Sequence, residues 1–153
     1  MSEAEEIEVV AHCLLDPFTR VRGLSPVPFR PRCAGLVQLP CPEALYLGLD
    51  RWAVTRDQMD LPQFRRFCRS VIEEHADLLE MLAGRGLRIR IVGVAGSPCC
   101  GILTTSAGYT GGRVHEAPHR HVSGRGILME ELLAELERRG VAYYAEEVGG
   151  DER

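Results

Sequence analysis

The chain is organised around the segment Ile89–Gly101, which has the sequence IRIVGVAGSPCCG. Its apolar first part, Ile89–Ala95, predicts a buried β-strand. The Gly-Ser-Pro that follows is typical of a tight turn, and the turn leads directly to Cys99 and Cys100. The segment therefore predicts a buried strand that presents two adjacent thiols at its carboxyl end.

Two earlier segments repeat this arrangement of an apolar run followed by a cysteine. Ile7–His12 precedes Cys13, and Gly35–Pro40 precedes Cys41. If the three strands are parallel neighbours, their carboxyl ends meet at one edge of a sheet, which is where ligands bind in open α/β sheets. We therefore expect three thiols to converge on a metal or iron–sulfur site.

Helical patterns separate these strands. Apolar residues recur at helical spacing after Asp60, the expected N-cap, and again in a second helix that starts at Ser123 or Gly124. A fourth strand, Val141–Glu146, follows. Helices between short apolar strands indicate βαβ units. We expect a single domain over residues 1–153 with a three-layer, Rossmann-like α/β fold and a mostly parallel sheet of about four strands.

Composition and charge exclude several functional classes. The net charge of −4 does not suggest a nucleic-acid-binding surface. No apolar run approaches the roughly 18 residues of a membrane-spanning helix, and the acidic start of the chain is unlike a secretory signal. We therefore expect a cytoplasmic protein whose six cysteines are reduced, which favours metal binding or catalysis over disulfides.

Not all of the cysteines fit a metal site equally well. Cys68 lies in the predicted long helix and is expected in the core, while Cys33 precedes the second strand and so belongs at the opposite edge from Cys41. Adjacent residues point in different directions, so only one of Cys99 and Cys100 is expected to face a shared metal. Because no local C-x₂-C pairing is present, burial as small hydrophobes stays an open alternative for the thiols.

A histidine-bearing segment follows the glycine-rich stretch after the third strand. His115, His119 and His121 flank Glu116, which would suit zinc, but no strand or helix is predicted to hold them. We favour a solvated loop or a lid over the site.

Several motifs together resemble those of the 2-thiouracil desulfurase (TudS) family, and most closely those of its short TudS-related desulfidases. HCLL at 12–15, LPCPE at 39–43 and GSPCCG at 96–101 are similar to the family's early CLL or CIL, CPE and SPSCG motifs. GRGILMEEL at 124–132 is similar to the family's closing helix. The resemblance spans most of the chain.

The resemblance implies a 4Fe–4S cluster held by Cys13, Cys41 and Cys100, with one iron open to substrate sulfur. It also implies that Glu43 is a catalytic acid/base and that Ser97 takes part in catalysis. The implied reaction is removal of sulfur from a small thiolated compound, such as a thiouracil-like base or a small thiol. The residue before Cys100 is cysteine where the family has serine, so which thiol of this pair binds iron stays open.

Other interpretations remain for the residues and for the function. Glu43 could be a carboxylate at the start of a surface helix, and Ser97 could be a residue of the turn only. The protein could also be a non-catalytic module that binds or transfers iron–sulfur or sulfide, or a zinc hydrolase with cysteine ligands.

Overall fold

A computed structural model describes residues 5–109 and 119–149 of the chain. The strands within these ranges are β1 (Glu6–Val10), β2 (Gly35–Gln38), β3 (Arg88–Val94), β4 (Thr104–Ala107), β5 (Arg120–Ser123) and β6 (Tyr144–Val148). The helices are α1 (His12–Leu15), α2 (Pro42–Leu47), α3 (Arg56–Met59), α4 (Pro62–Gly84) and α5 (Ile127–Arg138).

Four strands form the central sheet, in the order β2-β1-β3-β6, and every neighbouring pair is parallel. The register places Val9 of β1 opposite Val37 of β2 and Ile91 of β3. The predicted Rossmann-like α/β fold with a parallel sheet of about four strands is confirmed. The last strand begins three residues later than the predicted Val141, because Val141 lies in the connection after α5.

One face of the sheet is apolar and packs against the two long helices. The crossovers from β2 to β3 and from β3 to β6 run in the same direction across the sheet, so right-handed connections place α4 and α5 on the same face. The two helices pack against each other there. Cys68 of α4 is fully buried in this core, as expected. None of the helices in the described part of the chain is both long and apolar enough to cross a membrane.

The opposite face of the sheet carries a buried charge network. Glu8 of β1 is fully buried and accepts hydrogen bonds from Arg90 Nη1 at 2.8 Å and from the backbone N–H groups of Arg32 at 2.6 Å and Cys33 at 2.9 Å. Arg90 also pairs with Glu146. A buried carboxylate needs such donors, since burial without them is strongly unfavourable. The network therefore attaches the chain near residue 32 to the sheet.

The segment between α1 and β2 forms the third layer on this charged face. It contains the short 3₁₀ turn Pro17–Thr19 and is otherwise irregular, as its prolines predict. At its end the Cys33 thiol donates to Glu6 Oε1 at 3.3 Å. Since β2 starts at Gly35, Cys33 lies at the amino edge of the sheet, opposite Cys41, as expected.

Both long helices start at residues other than those predicted. Pro62 is the first residue of α4, and Asp60 is not its N-cap but pairs with Arg65 Nε at 2.6 Å. Helix α5 starts at Ile127, beyond the predicted Ser123, because Ser123 belongs to β5.

Three further elements differ from the loops that the sequence suggested. Cys13 lies in a short helix, α1, although the Asp16-Pro17 pair that follows favours a loop, whereas Pro42 starts the short helix α2, as a proline at the first helical position predicts. Strands β4 and β5 form an antiparallel pair where a glycine-rich loop and a histidine-bearing loop were predicted. Residues 110–118, which include His115 and Glu116, lie between these two strands in the sequence and outside the described residues.

We expect Arg90→Met to lower the free energy of unfolding by about 3–5 kcal/mol, because Glu8 stays buried without its cationic partner. Urea unfolding followed by circular dichroism measures the change. Arg69→Met is the control, since Arg69 is half-exposed in its pair with Glu131 and its loss should lower the free energy of unfolding by less than about 1 kcal/mol. Equal losses in the two variants would contradict a special role for the buried pair.

Candidate metal centre

A cavity of about 470 Å³ opens at the carboxyl edge of the central sheet. Strands β1, β2 and β3 all end at this edge because they are parallel. The segments that follow these strands contribute four thiols to the cavity lining, namely Cys13, Cys41, Cys99 and Cys100. The structure thus brings together cysteines that are up to 87 residues apart in the sequence.

Burial raises the pKa of all four thiols, and those of Cys99 and Cys100 lie well above the ordinary value. After burial, negative charge on Cys13 and Cys41 is the next cause of the raised pKa of Cys100. A cation bound among these thiols would reverse this effect, because metal binding displaces the proton. In the described ranges, no three His, Cys, Asp or Glu side chains lie close enough together to hold a single metal ion.

Cys41 is the N-cap of α2. Its Sγ accepts a hydrogen bond from the backbone N–H of Ala44 at 3.4 Å, and Arg51 Nη2 lies 3.9 Å from the same sulfur. Pro42 at the first helical position favours the start of a helix at this point. Burial is nevertheless the largest influence on this thiol, so its pKa stays raised.

Cys13 lies one residue into α1, directly after the end of β1. Burial raises its pKa most, while the charge of Arg20 and a hydrogen bond from it act in the opposite direction. Arg20 also lines the cavity. The neighbouring His12 directs Nδ1 to the Leu39 carbonyl at 3.2 Å and Nε2 towards Asp16 at 3.5 Å, so its ring links α1 to the residue that follows β2.

Ser97 organises the turn that carries the other two thiols. Its Oγ accepts hydrogen bonds from the backbone N–H groups of Cys99 at 3.3 Å and Cys100 at 2.9 Å. Its carbonyl accepts the N–H of Gly101 at 3.2 Å and the hydroxyl of Thr105 at 2.9 Å. These contacts agree with the interpretation of Ser97 as a residue of the turn, and Ser97 is also one of the residues that line the cavity.

The start of α5 packs backbone to backbone against this turn. The N–H groups of Ile127 and Met129 donate to the carbonyls of Pro98 at 2.9 Å and Cys99 at 3.1 Å. A Cβ atom placed on Gly126 would lie 2.3 Å from the carbonyl carbon of Cys99. The helix can approach the two cysteines this closely because residue 126 is glycine.

Glu43 is buried beside the thiols. Arg51 Nε donates to its Oε1 at 2.7 Å, and the Cys99 thiol lies 3.9 Å from its Oε2. Burial raises the pKa of Glu43 most; the charge and hydrogen bond of Arg51 act to lower it, and the net direction is upward. The arrangement places a carboxyl group with a raised pKa next to a cluster of thiols.

Sequence reasoning missed Arg51, which has the most extensive contacts with Glu43. A buried carboxylate needs a cationic or hydrogen-bonding partner, so a basic residue near Glu43 was to be expected. The sequence contains 18 basic residues, however, and no spacing rule singles out the one eight positions further on.

His119 and His121 of the predicted histidine group line the cavity. Both residues are exposed, which fits a position at the cavity mouth. The His121 ring lies over Gly96, whose φ of +76° favours glycine, and a Cβ there would be 2.4 Å from the ring.

Comparisons with known proteins agree with this fold. No family model matches the chain. An uncharacterized protein of Methanocaldococcus jannaschii is 26% identical over 160 residues, covering 99% of this chain and 90% of that protein. The solved structure of a [4Fe-4S]-dependent thiouracil desulfidase, TudS, superposes with a TM-score of 0.52 and 20% identity, covering 93% of this chain and 91% of that one. The structural similarity confirms the resemblance to TudS at the level of the fold.

We expect Gly126→Ala to lower the free energy of unfolding by about 1–3 kcal/mol, because a backbone contact cannot be relieved by side-chain rotation. Cys99 and Cys100 should also react faster with a chromogenic disulfide reagent, since the turn must shift. Gly84→Ala is the matched control: an added Cβ there meets no atom within 4 Å, so stability should stay the same or rise slightly. Unchanged thiol reactivity in Gly126→Ala would contradict the role of this contact.

Proposed function

We propose that this protein is a 4Fe–4S-cluster-dependent desulfidase that removes sulfur from a small thiolated compound, such as a thiouracil-like base or a small thiol. The observation that carries the proposal is the convergence of three strand-end cysteines on one cavity beside the buried Glu43. The fold shared with a [4Fe-4S]-dependent thiouracil desulfidase supports it.

The donor groups fit such a cluster. Cysteine thiolates are the usual ligands of 4Fe–4S clusters, and three of them leave one iron without a protein ligand. A single zinc ion would need its ligand atoms within about 4 Å of one another, given Zn–S bonds of about 2.3 Å. Anaerobic metal analysis separates this alternative from the cluster, since zinc without iron would contradict the proposal.

Cys13, Cys41 and Cys100 are the proposed ligands. Burial is the largest cause of the raised pKa of both Cys99 and Cys100. The second cause is negative charge on Cys13 and Cys41 for Cys100, and negative charge on Glu43 for Cys99. Cys100 therefore interacts more with the other two thiols, and Cys99 more with the carboxyl group. This difference supports Cys100 as the third ligand.

The proposed reaction replaces sulfur by oxygen without net electron transfer: a C=S group and water give C=O and hydrogen sulfide, and a C–SH group and water give C–OH and hydrogen sulfide. The cluster would supply an open iron that binds and polarises the sulfur as a Lewis acid. Glu43 would accept a proton from the attacking water and return it to the departing sulfur. Burial suits Glu43 to this role, because it raises the pKa of the carboxyl group towards neutral pH, where the group can act as both acid and base.

Ser97 and the apolar wall would hold the substrate. The Ser97 oxygen accepts two backbone hydrogen bonds, which leaves its hydroxyl hydrogen to donate towards a ligand in the cavity. Apolar side chains that line the cavity include Val21, Leu24, Val27 and Val54. A cavity of about 470 Å³ with such a wall suits a small, flat molecule such as a single-ring base.

We expect Glu43→Gln to lower kcat for sulfide release by about 100- to 10,000-fold, because proton transfer is lost, while the iron content stays unchanged. Sulfide release from thiouracil by anaerobically reconstituted protein, together with iron counting, measures both quantities. Glu8→Gln is the control, since Glu8 is also buried but lies on the charged face of the sheet and does not line the cavity. Undiminished turnover in Glu43→Gln would contradict the acid/base role. If the wild-type protein with its full iron content releases no sulfide from any thiolated base or thiol, the non-catalytic module is favoured.

Cysteine-to-serine variants test the ligand set. We expect Cys13→Ser, Cys41→Ser and Cys100→Ser each to lose most of the roughly four irons per chain and the visible absorption of the cluster. Cys99→Ser and the core variant Cys68→Ser should keep both. Iron loss in Cys99→Ser with retention in Cys100→Ser would exchange the roles of these two residues, and zinc without iron in the wild type would contradict the cluster.

A further inference from the structure

Arg51 is held by partners from three segments of the chain. Its Nε donates to Glu43 Oε1 at 2.7 Å, its Nη1 to the Gly48 carbonyl at 3.1 Å, and its Nη2 to the Thr19 carbonyl at 2.9 Å. Nη2 also lies 3.9 Å from Cys41 Sγ. Because the guanidinium group is a planar, rigid fork, these contacts together define its position and its plane.

The backbone delivers Arg51 to this position. Helix α2 ends at Leu47, and Gly48 follows with a φ of +93°, a conformation that favours glycine, three residues before Arg51. The Arg51 carbonyl in turn accepts the N–H of Arg22 at 3.4 Å. Both the main chain and the side chain of Arg51 are therefore attached to the irregular layer that covers the sheet.

The contact with Arg51 determines which oxygen of Glu43 faces the cavity. Only 6% of the Arg51 side chain and 8% of the Glu43 side chain are exposed, so water does not compete for the pair. With Oε1 engaged by Nε, Oε2 is the oxygen directed at Cys99. We propose that Arg51 is the positioning residue that orients the Glu43 carboxylate for proton transfer, an inference that rests on the proposed desulfidase function of this site.

The chain contains a matched control for this proposal. Arg90 and Glu8 form a second buried pair, with an N–O distance of 2.8 Å and an Arg90 side chain that is also 6% exposed. Neither residue lines the cavity. Any effect that comes only from breaking a buried ion pair should therefore appear in both places, and an effect on the reaction should appear only at Arg51.

The test compares Arg51→Ala and Arg51→Lys with Arg90→Ala, all reconstituted with iron and assayed with thiouracil. We expect both Arg51 variants to keep their iron and to lose about 100-fold in kcat with a much smaller change in KM, as a misplacement of about 1 Å can produce. Guanidinium at low-millimolar concentration should raise the kcat of Arg51→Ala about tenfold, because it refills the site of the missing side chain. It should not raise the kcat of the double variant Arg51→Ala/Glu43→Gln. Arg90→Ala should lose thermal stability and keep its kcat per folded molecule.

A loss of kcat in Arg90→Ala as large as in Arg51→Ala, or the absence of guanidinium rescue, would overturn the positioning role. A crystal structure of Arg51→Lys provides a readout that does not need turnover: we expect the Glu43 carboxylate to shift by about 1 Å or more. An unmoved carboxylate overturns the inference whether or not the enzyme is active. If the carboxylate moves and the loaded wild type releases no sulfide from any thiolated compound, the proposed function fails and the orientation by Arg51 stands. Should Arg51→Ala not fold, Arg51→Lys and its structure decide the matter.

Discussion

Backbone hydrogen bonds join β1 to β2 on one side and to β3 on the other, both in parallel register, so the three strands end together. Each strand then leads directly into a short helix or a turn with a cysteine. A change of one residue in this register would turn every side chain of a strand to the other face of the sheet. The convergence of distant thiols therefore depends on strand pairing more than on any contact among the thiols themselves.

The two faces of the sheet solve different problems. The apolar face packs against α4 and α5, whereas the other face is covered by an irregular segment that offers free backbone N–H groups. Glu8 satisfies two of these groups and is itself neutralised by Arg90. An irregular segment leaves backbone N–H groups without partners from a helix or sheet, and Glu8, paired with Arg90, accepts hydrogen bonds from two of them. The same layer supplies Thr19 and Arg20 to the cavity.

The cavity brings several buried thiols together with a buried carboxyl group. Four thiols and a carboxyl group are buried there, and burial raises the pKa of each of them. Arg20 and Arg51 supply positive charge on two sides of the cavity, next to Cys13 and Glu43. These are the groups that the proposed function requires: thiols that lose their protons when they bind iron, and a carboxyl group close by for proton transfer.

Local pattern in the sequence was sufficient for β1, β2, β3 and the two long helices, because apolar periodicity reports which side of an element is buried. The strand-end positions of the cysteines and the turn at Ser97 followed from the same local signals. The tertiary structure alone decided the partner of Glu43, the start of α5 and the β4–β5 pair. Arg51 is only one of 18 basic residues in the sequence. Helix α5 starts at Ile127 because the carbonyls of Pro98 and Cys99 in the turn accept N–H groups from the first turn of the helix. The β4 and β5 sequences, TTSA and RHVS, are short and polar. Each of these features depends on a partner distant in the sequence, and local propensity carries no information about that partner.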